Sequence, residues 1–172
     1  MTKQNKKWSE NDELFFSELD KGHAFQSIVA DIFRQKGFLV EQPKKRVRKH
    51  ISEAAKFAEN EIDLLVGSEN KKILFEVKSR NLYFTKPENY PFDTAFVDTV
   101  SSWDQKRKKP AATILISQKT KSIVVVPSSS FSQWKEEKKR DRVRDIEDTW
   151  WTVPVKCLKT LDDLCKWLKT RL

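Results

Sequence analysis

Asp63, Glu76 and Lys78 are the residues of this 172-residue chain whose types and spacing could do chemistry. They lie in EIDLLVGSENKKILFEVKSR (61–80), where two runs rich in Val, Ile and Leu flank a Gly-Ser-Glu-Asn turn. That pattern predicts a β-hairpin, and charges inside such strands need a partner. A turn centred between Glu69 and Asn70 opposes Val66 to Ile73 and Leu64 to Phe75, apolar on apolar, and sets Asp63 opposite Glu76. Side chains alternate across a strand, so Lys78 shares the face of Glu76 and Glu61 that of Asp63. Two opposed carboxylates repel each other, and either Lys78 or a divalent metal compensates them. Mg²⁺ is typically held by one or two carboxylates together with waters and phosphate oxygens. It makes water a better nucleophile and stabilises charge building on a phosphate, while a neighbouring lysine positions that water or neutralises the phosphate. These parts suffice to hydrolyse a phosphodiester.

The formal net charge of +9 points the same way, because a chain this basic is drawn to polyanions. Two acid-free runs are expected to grip phosphates: KKRVRKH, with Lys44, Lys45, Arg46, Arg48 and Lys49, and KRKK, with Lys106, Arg107 and Lys108. Ser79 and Arg80, just beyond Lys78, are further candidates for phosphate contact. A third run, KEEKKRDRVR (135–144), mixes acids and bases at helical spacing and reads as a solvated helix face. Tyr83, Phe84, Tyr90 and Phe92 follow the hairpin; they either stack on bases or pin their loop to the core. Cys157 and Cys165, the only cysteines, are too few for a structural zinc and read as small buried thiols. No apolar run is long enough to span a membrane, and MTKQNKKWSENDELFF lacks the pattern of a secretory signal, so a cytoplasmic location is expected.

These residues need elements to hold them. Phe25, Ile28, Val29, Ile32 and Phe33 form the stripe of an amphipathic helix that Gly37 stops, after an earlier helical run over 11–19 and a break near 20–22. FLVEQ after Gly37 predicts a short strand, and 52–60 either a helical turn or more loop. Residues 95–109 are read as a helix ending before Pro110. AATILIS (111–117) and SIVVVP (122–127) are read as strands, FSQWKEEKKRDRVRD as a helix capped by serines. A terminal helix starts from a capping box at Thr160. The list packs most economically as one α/β domain, a mixed sheet flanked by helices, with a core over about 22–127 and a helical addition over about 128–172.

An Asp near the start of one strand, a turn, then Glu-x-Lys in the next resembles the PD-(D/E)XK nuclease superfamily. Asp63 in EIDLLV and Glu76-Val77-Lys78 in LFEVKS carry the match. The upstream helix of that family often begins Gly-x-x-Phe-Glu; this chain reads Gly22-His-Ala-Phe25-Gln26. The resemblance covers about 22–117 and implies the αβββαβ core of restriction-endonuclease-like folds, loosely in the layout of Holliday-junction resolvases. It further implies a DNA substrate and Mg²⁺, with Mn²⁺ as substitute, held by Asp63, Glu76 and the main-chain carbonyl of Val77. Lys78 would position the attacking water. Gln26 stands where an acid is often found, and Glu18, Asp31 and Glu61 are the alternatives for completing the metal site. Nucleases of this size often work as homodimers, and a small standalone one fits a phage or other mobile element. Two rivals remain: a DNA-binding module of the same fold without turnover, which Gln26 favours, and a basic domain that binds an acidic protein.

Overall fold

Phe25, Ile28, Val29, Ile32 and Phe33 all reach the core from one side of helix α1 (Glu10–Gln35). The computed structural model describes residues 10–43, 63–141 and 145–172, and side chains over 22–43, 63–140 and 145–172. The basic run from Lys44 to Lys49, the 52–60 segment and Glu61 lie outside the described residues. α1 runs unbroken through 20–22, where the sequence predicts an interruption. Gly22 costs a helix only about 1 kcal/mol relative to alanine, too little to end one whose other turns are sound. The predicted stop does operate. Gly37 takes φ +92°, and the Phe38 and Gly37 N–H groups donate to Phe33 and Arg34 carbonyls at 3.2 and 3.0 Å, the paired bonds of a Schellman cap.

Five strands form a mixed sheet in the order β1-β2-β3-β5-β6: β1 (Leu39–Glu41), β2 (Leu64–Gly67), β3 (Lys72–Arg80), β5 (Ala112–Ser117) and β6 (Ile123–Pro127). The hairpin takes the register its apolar pattern demands, Leu64 opposite Phe75 and Val66 opposite Ile73. At its turn Gly67 passes so close to the Lys71 carbonyl that a Cβ would collide with it. β5 lies parallel to β3 and antiparallel to β6. Every residue of β5, and all but the last of β6, is buried, as continuous apolar runs covered on both faces should be.

Two separate cores flank this sheet. On one face α1 and the terminal helix α3 (Leu161–Arg171) pack against Leu64, Val66, Phe75, Ile114 and Val125. The predicted capping box starts α3: Thr160 accepts from the Asp163 N–H, and Asp163 accepts from the Thr160 N–H. On the other face Leu115, Val124 and Val126 meet Phe84, Tyr90, Val97, Trp103, Trp134 and Val153.

Much of that second layer is a three-stranded antiparallel sheet in the order β4 (Thr94–Thr99), β8 (Ile146–Pro154), β7 (Lys135–Asp141), which the sequence reading did not contain. Residues 95–109, read as one helix, divide into β4 (Thr94–Thr99) and the short α2 (Val100–Gln105), capped by the Thr99 hydroxyl. The stretch read as a serine-capped helix becomes a 3₁₀ turn (Ser128–Gln133) and strand β7 (Lys135–Asp141). β7 pairs along its length with β8 (Ile146–Pro154). The charged residues of β7 have good helix propensity, but the ladder to β8 overrides so weak a local preference. The 128–172 region is therefore part strand, not a helical addition.

Candidate active site

β3 alternates between two environments. Phe75 and Val77 turn into the helix-side core, so Glu76, Lys78 and Arg80 must face the three-stranded sheet. There they meet Asp98, which a bulge in β4 between Phe96 and Asp98 turns inward, and Lys106, the residue capping the end of α2. Lys78 Nζ lies 3.0 Å from Glu76 Oε1 and 3.8 Å from Asp98 Oδ1. Lys106 Nζ lies 3.2 Å from Glu76 Oε1 and 3.2 Å from Asp98 Oδ2. Two carboxylates and two ammonium groups thus interleave in a pocket where Glu76 is 9% exposed and Asp98 2%.

Asp63 completes the group from the other side. It stands one residue before β2, where the ladder to β3 has already ended at Leu64–Phe75. Instead of facing Glu76 across a rung, as the register alone predicts, its Oδ2 accepts from the Val77 N–H at 2.8 Å. Gln26 supports this position: its Nε2 donates to the Asp63 main-chain carbonyl at 2.9 Å. Gln26 therefore acts as a tether between α1 and Asp63.

The charges set each other's protonation. Burial alone would push the Glu76 carboxyl up, but Lys78 and then Lys106 outweigh it and hold the group below the ordinary carboxylate range. Burial alone would push the Lys78 ammonium down; Asp98, Glu76 and Asp63 outweigh that and hold it well above the usual lysine value. Lys78 is thus a fixed cation and hydrogen-bond donor at neutral pH. It can orient a water or neutralise a phosphate, but has no lone pair with which to take a proton.

The remaining candidates separate by environment. Arg80, a candidate for phosphate contact, is turned to β4 instead: its guanidinium donates to the Phe96 and Val97 carbonyls at 2.9 and 3.3 Å, joining β3 to β4. Ser79 Oγ accepts from Gln118 Nε2 at 3.1 Å on the helix-side edge of β3. Lys106 belongs to the charged cluster rather than to a surface grip, while Arg107 and Lys108, next in the chain, are exposed. Asp31 pairs with Arg34 at 2.9 Å on the solvent side of α1. The aromatic loop divides: Phe84 and Tyr90 pin it, ring centroids 5.2 Å apart, whereas Tyr83 and Phe92 are 62% and 58% exposed. Asp98 was missed because 95–109 was read as a helix. The signal was there in TAFVDT, an aspartate inside a β-branched and aromatic hexapeptide.

Among the described residues no three His, Cys, Asp or Glu side chains gather into a complete metal cage. The oxygens present suit a hard cation that keeps most of its water. Glu76 Oε2 and Asp98 Oδ2 are buried without a hydrogen-bond partner, and so is Thr113 Oγ1, whose residue is the β5 register partner of Glu76. Asp63 supplies a second carboxylate. The Val77 carbonyl, leaving the strand on the same edge as its N–H, faces the side where β2 has ended. Comparison of the chain with models of known protein families and with curated proteins finds no match.

Proposed function

We propose that the chain is a divalent-metal-dependent deoxyribonuclease that hydrolyses phosphodiester bonds. One observation carries this reading. At the open end of the hairpin Asp63 accepts from the N–H of Val77, the residue between Glu76 and a permanently charged Lys78, and Glu76 keeps an orphaned carboxylate oxygen. Asp63, Glu76 Oε2 and the Val77 carbonyl would hold Mg²⁺ or Mn²⁺, which supplies an electrophile for the phosphate and lowers the pKa of water. Lys78 would donate to the attacking water or to a non-bridging phosphate oxygen, with the Glu76 contact fixing its position. Gln26 would keep Asp63 in place through its carbonyl. Arg107 and Lys108, exposed just beyond Lys106, would take flanking backbone phosphates. The sheet order and the Asp63, Glu76-Val77-Lys78 placement support a restriction-endonuclease-like core.

A second reading has its own observation. Glu76 Oε1 is held by two ammonium groups, and the amide of Gln26 is engaged with a main-chain carbonyl. A site so neutralised would suit a DNA-binding module without turnover. Labelled duplex, single-stranded, flapped and four-way-junction DNAs, incubated with Mg²⁺ or Mn²⁺, separate the two. The nuclease reading expects metal-dependent cutting that falls about 10²–10³-fold in Lys78→Ala. Salt-sensitive binding of every substrate with no cutting in either metal would sink it and leave the binding module.

A further inference from the structure

Lys106 does not belong to the motif that drew attention to this site, yet it contacts two of its acids. Its ammonium lies 3.2 Å from both Glu76 and Asp98, with its side chain 11% exposed. Asp98 is anchored separately, because its Oδ1 accepts from the Thr99 N–H at 2.9 Å where the bulge turns the strand. Its Oδ2 therefore faces Lys106 from a fixed seat. Glu76 presents one oxygen to the two ammonium groups and keeps Oε2 without a partner. Buried charges are rarely tolerated unpaired, and a carboxylate built to take a divalent cation would be such a charge whenever the cation is away.

We infer that Lys106 is the internal counter-cation of Glu76 and that Asp98 is its second seat, so that Lys106 withdraws to Asp98 when a divalent cation takes Glu76. The inference rests on the metal reading above and names two residues that this reading does not require. Lys78 is less suited to the same role, since its 3.0 Å contact with Glu76 would be lost and Asp98 is 3.8 Å from it, against 3.2 Å for Lys106. Lys106 lies equally far from both carboxylates, hydrogen-bonded to Glu76 Oε1 and ion-paired without a hydrogen bond to Asp98 Oδ2, so on losing Glu76 it still has Asp98 Oδ2, which has room to accept from it. In this arrangement the pair sets cation affinity from outside the ligand set: Lys106 opposes the cation by like charge, and Asp98 lowers that opposition by holding Lys106 back.

Mn²⁺ binding to the intact chain without DNA, followed by the electron paramagnetic resonance of free Mn²⁺, tests this without reference to cleavage. Lys106→Gln is expected to bind Mn²⁺ roughly tenfold more tightly than wild type, by removal of a nearby like charge. Asp98→Asn is expected to bind it several-fold more weakly, because Lys106 then rests on Glu76 alone. In the Lys106→Gln background Asp98→Asn should have no effect, a non-additivity that a direct Asp98–metal contact would not produce. Lys106→Arg, which keeps the charge and so the fold, should weaken binding through a firmer two-pronged hold on Glu76. Equal or weaker Mn²⁺ binding by folded Lys106→Gln, with wild type binding normally, overturns this inference and leaves the metal reading standing. Absence of Mn²⁺ binding in wild type and Lys106→Gln alike overturns both.

Discussion

The two faces of the five-stranded sheet are covered by different means. On one, two helices lay apolar stripes over Phe75, Ile114 and Val125, and the buried side chains of that cluster are hydrophobic. On the other, a small sheet brings its own aromatics, Trp103, Trp134 and their neighbours, but also accepts Glu76, Lys78, Arg80 and Asp98 at or near the interface. The same strand, β3, serves both, handing its odd-numbered residues to one face and its even-numbered ones to the other. Charged residues interrupt the strand because one of its faces is a layer junction fastened partly by ion pairs and guanidinium–carbonyl bonds. A site for chemistry at such a junction inherits positioned charges from both layers.

The contrast predicts unequal responses to substitution. Phe75→Ala, on the helix side and stacked on Phe33 at 6.0 Å, should cost about 3–5 kcal/mol in denaturant unfolding. A loss below 1 kcal/mol would mean that this face is not the main core. Arg80→Met, on the junction side, keeps the buried stem but strips two carbonyls of their donor. It should cost about 1–3 kcal/mol, and a neutral result would show that the layers are held by apolar contact alone.

The junction should also have its own pH signature. Glu76 has a folded pKa below its unfolded one, so its stabilisation is present above the ordinary carboxylate range and is lost as pH falls through the folded value. Lys78 is shifted upward, so its contribution is complete below the ordinary lysine pKa and fades only as strong alkali deprotonates the folded state. Urea midpoints measured from neutrality downward should therefore drop less in Glu76→Gln than in wild type; parallel curves would remove Glu76 from the account of acid stability. The smallest effect belongs to β7. Its residues 135–140 are exposed, so Lys138→Thr should change stability by no more than about 0.5 kcal/mol.

The sequence made the helix-side face easier to read. There burial is apolar, and apolar spacing is what a sequence displays: the hairpin register, the two buried strands, the stripe of α1 and the Thr160 cap all follow from it. The junction face hid from the same reasoning. β7 is stabilised by its ladder to β8 rather than by an apolar side, so KEEKKRD carries no strand period. β4 is only six residues long and runs directly into α2, so its alternation was absorbed into a helix. Of the site, Asp63, Glu76 and Lys78 were visible because charge stood out against aliphatic neighbours. Asp98 and the inward turn of Lys106 depend on a bulge and a helix end, which are features of the crossover rather than of local composition.

That crossover has a consequence for the order of events when the chain folds. β3 and β5 are parallel neighbours, and parallel pairing requires a long excursion between them, here residues 81–111, which also carry β4 and α2. Glu76 and Lys78 lie two residues apart on one strand and share a face as soon as the hairpin forms, on the microsecond scale of hairpins. Asp98 and Lys106 arrive only with the closed excursion, a non-local step that is intrinsically slower. Topology therefore favours forming the Glu76–Lys78 half of the cluster before the Asp98–Lys106 half. On that order the charges of β3 would be covered only when the excursion brings Asp98 and Lys106 to them.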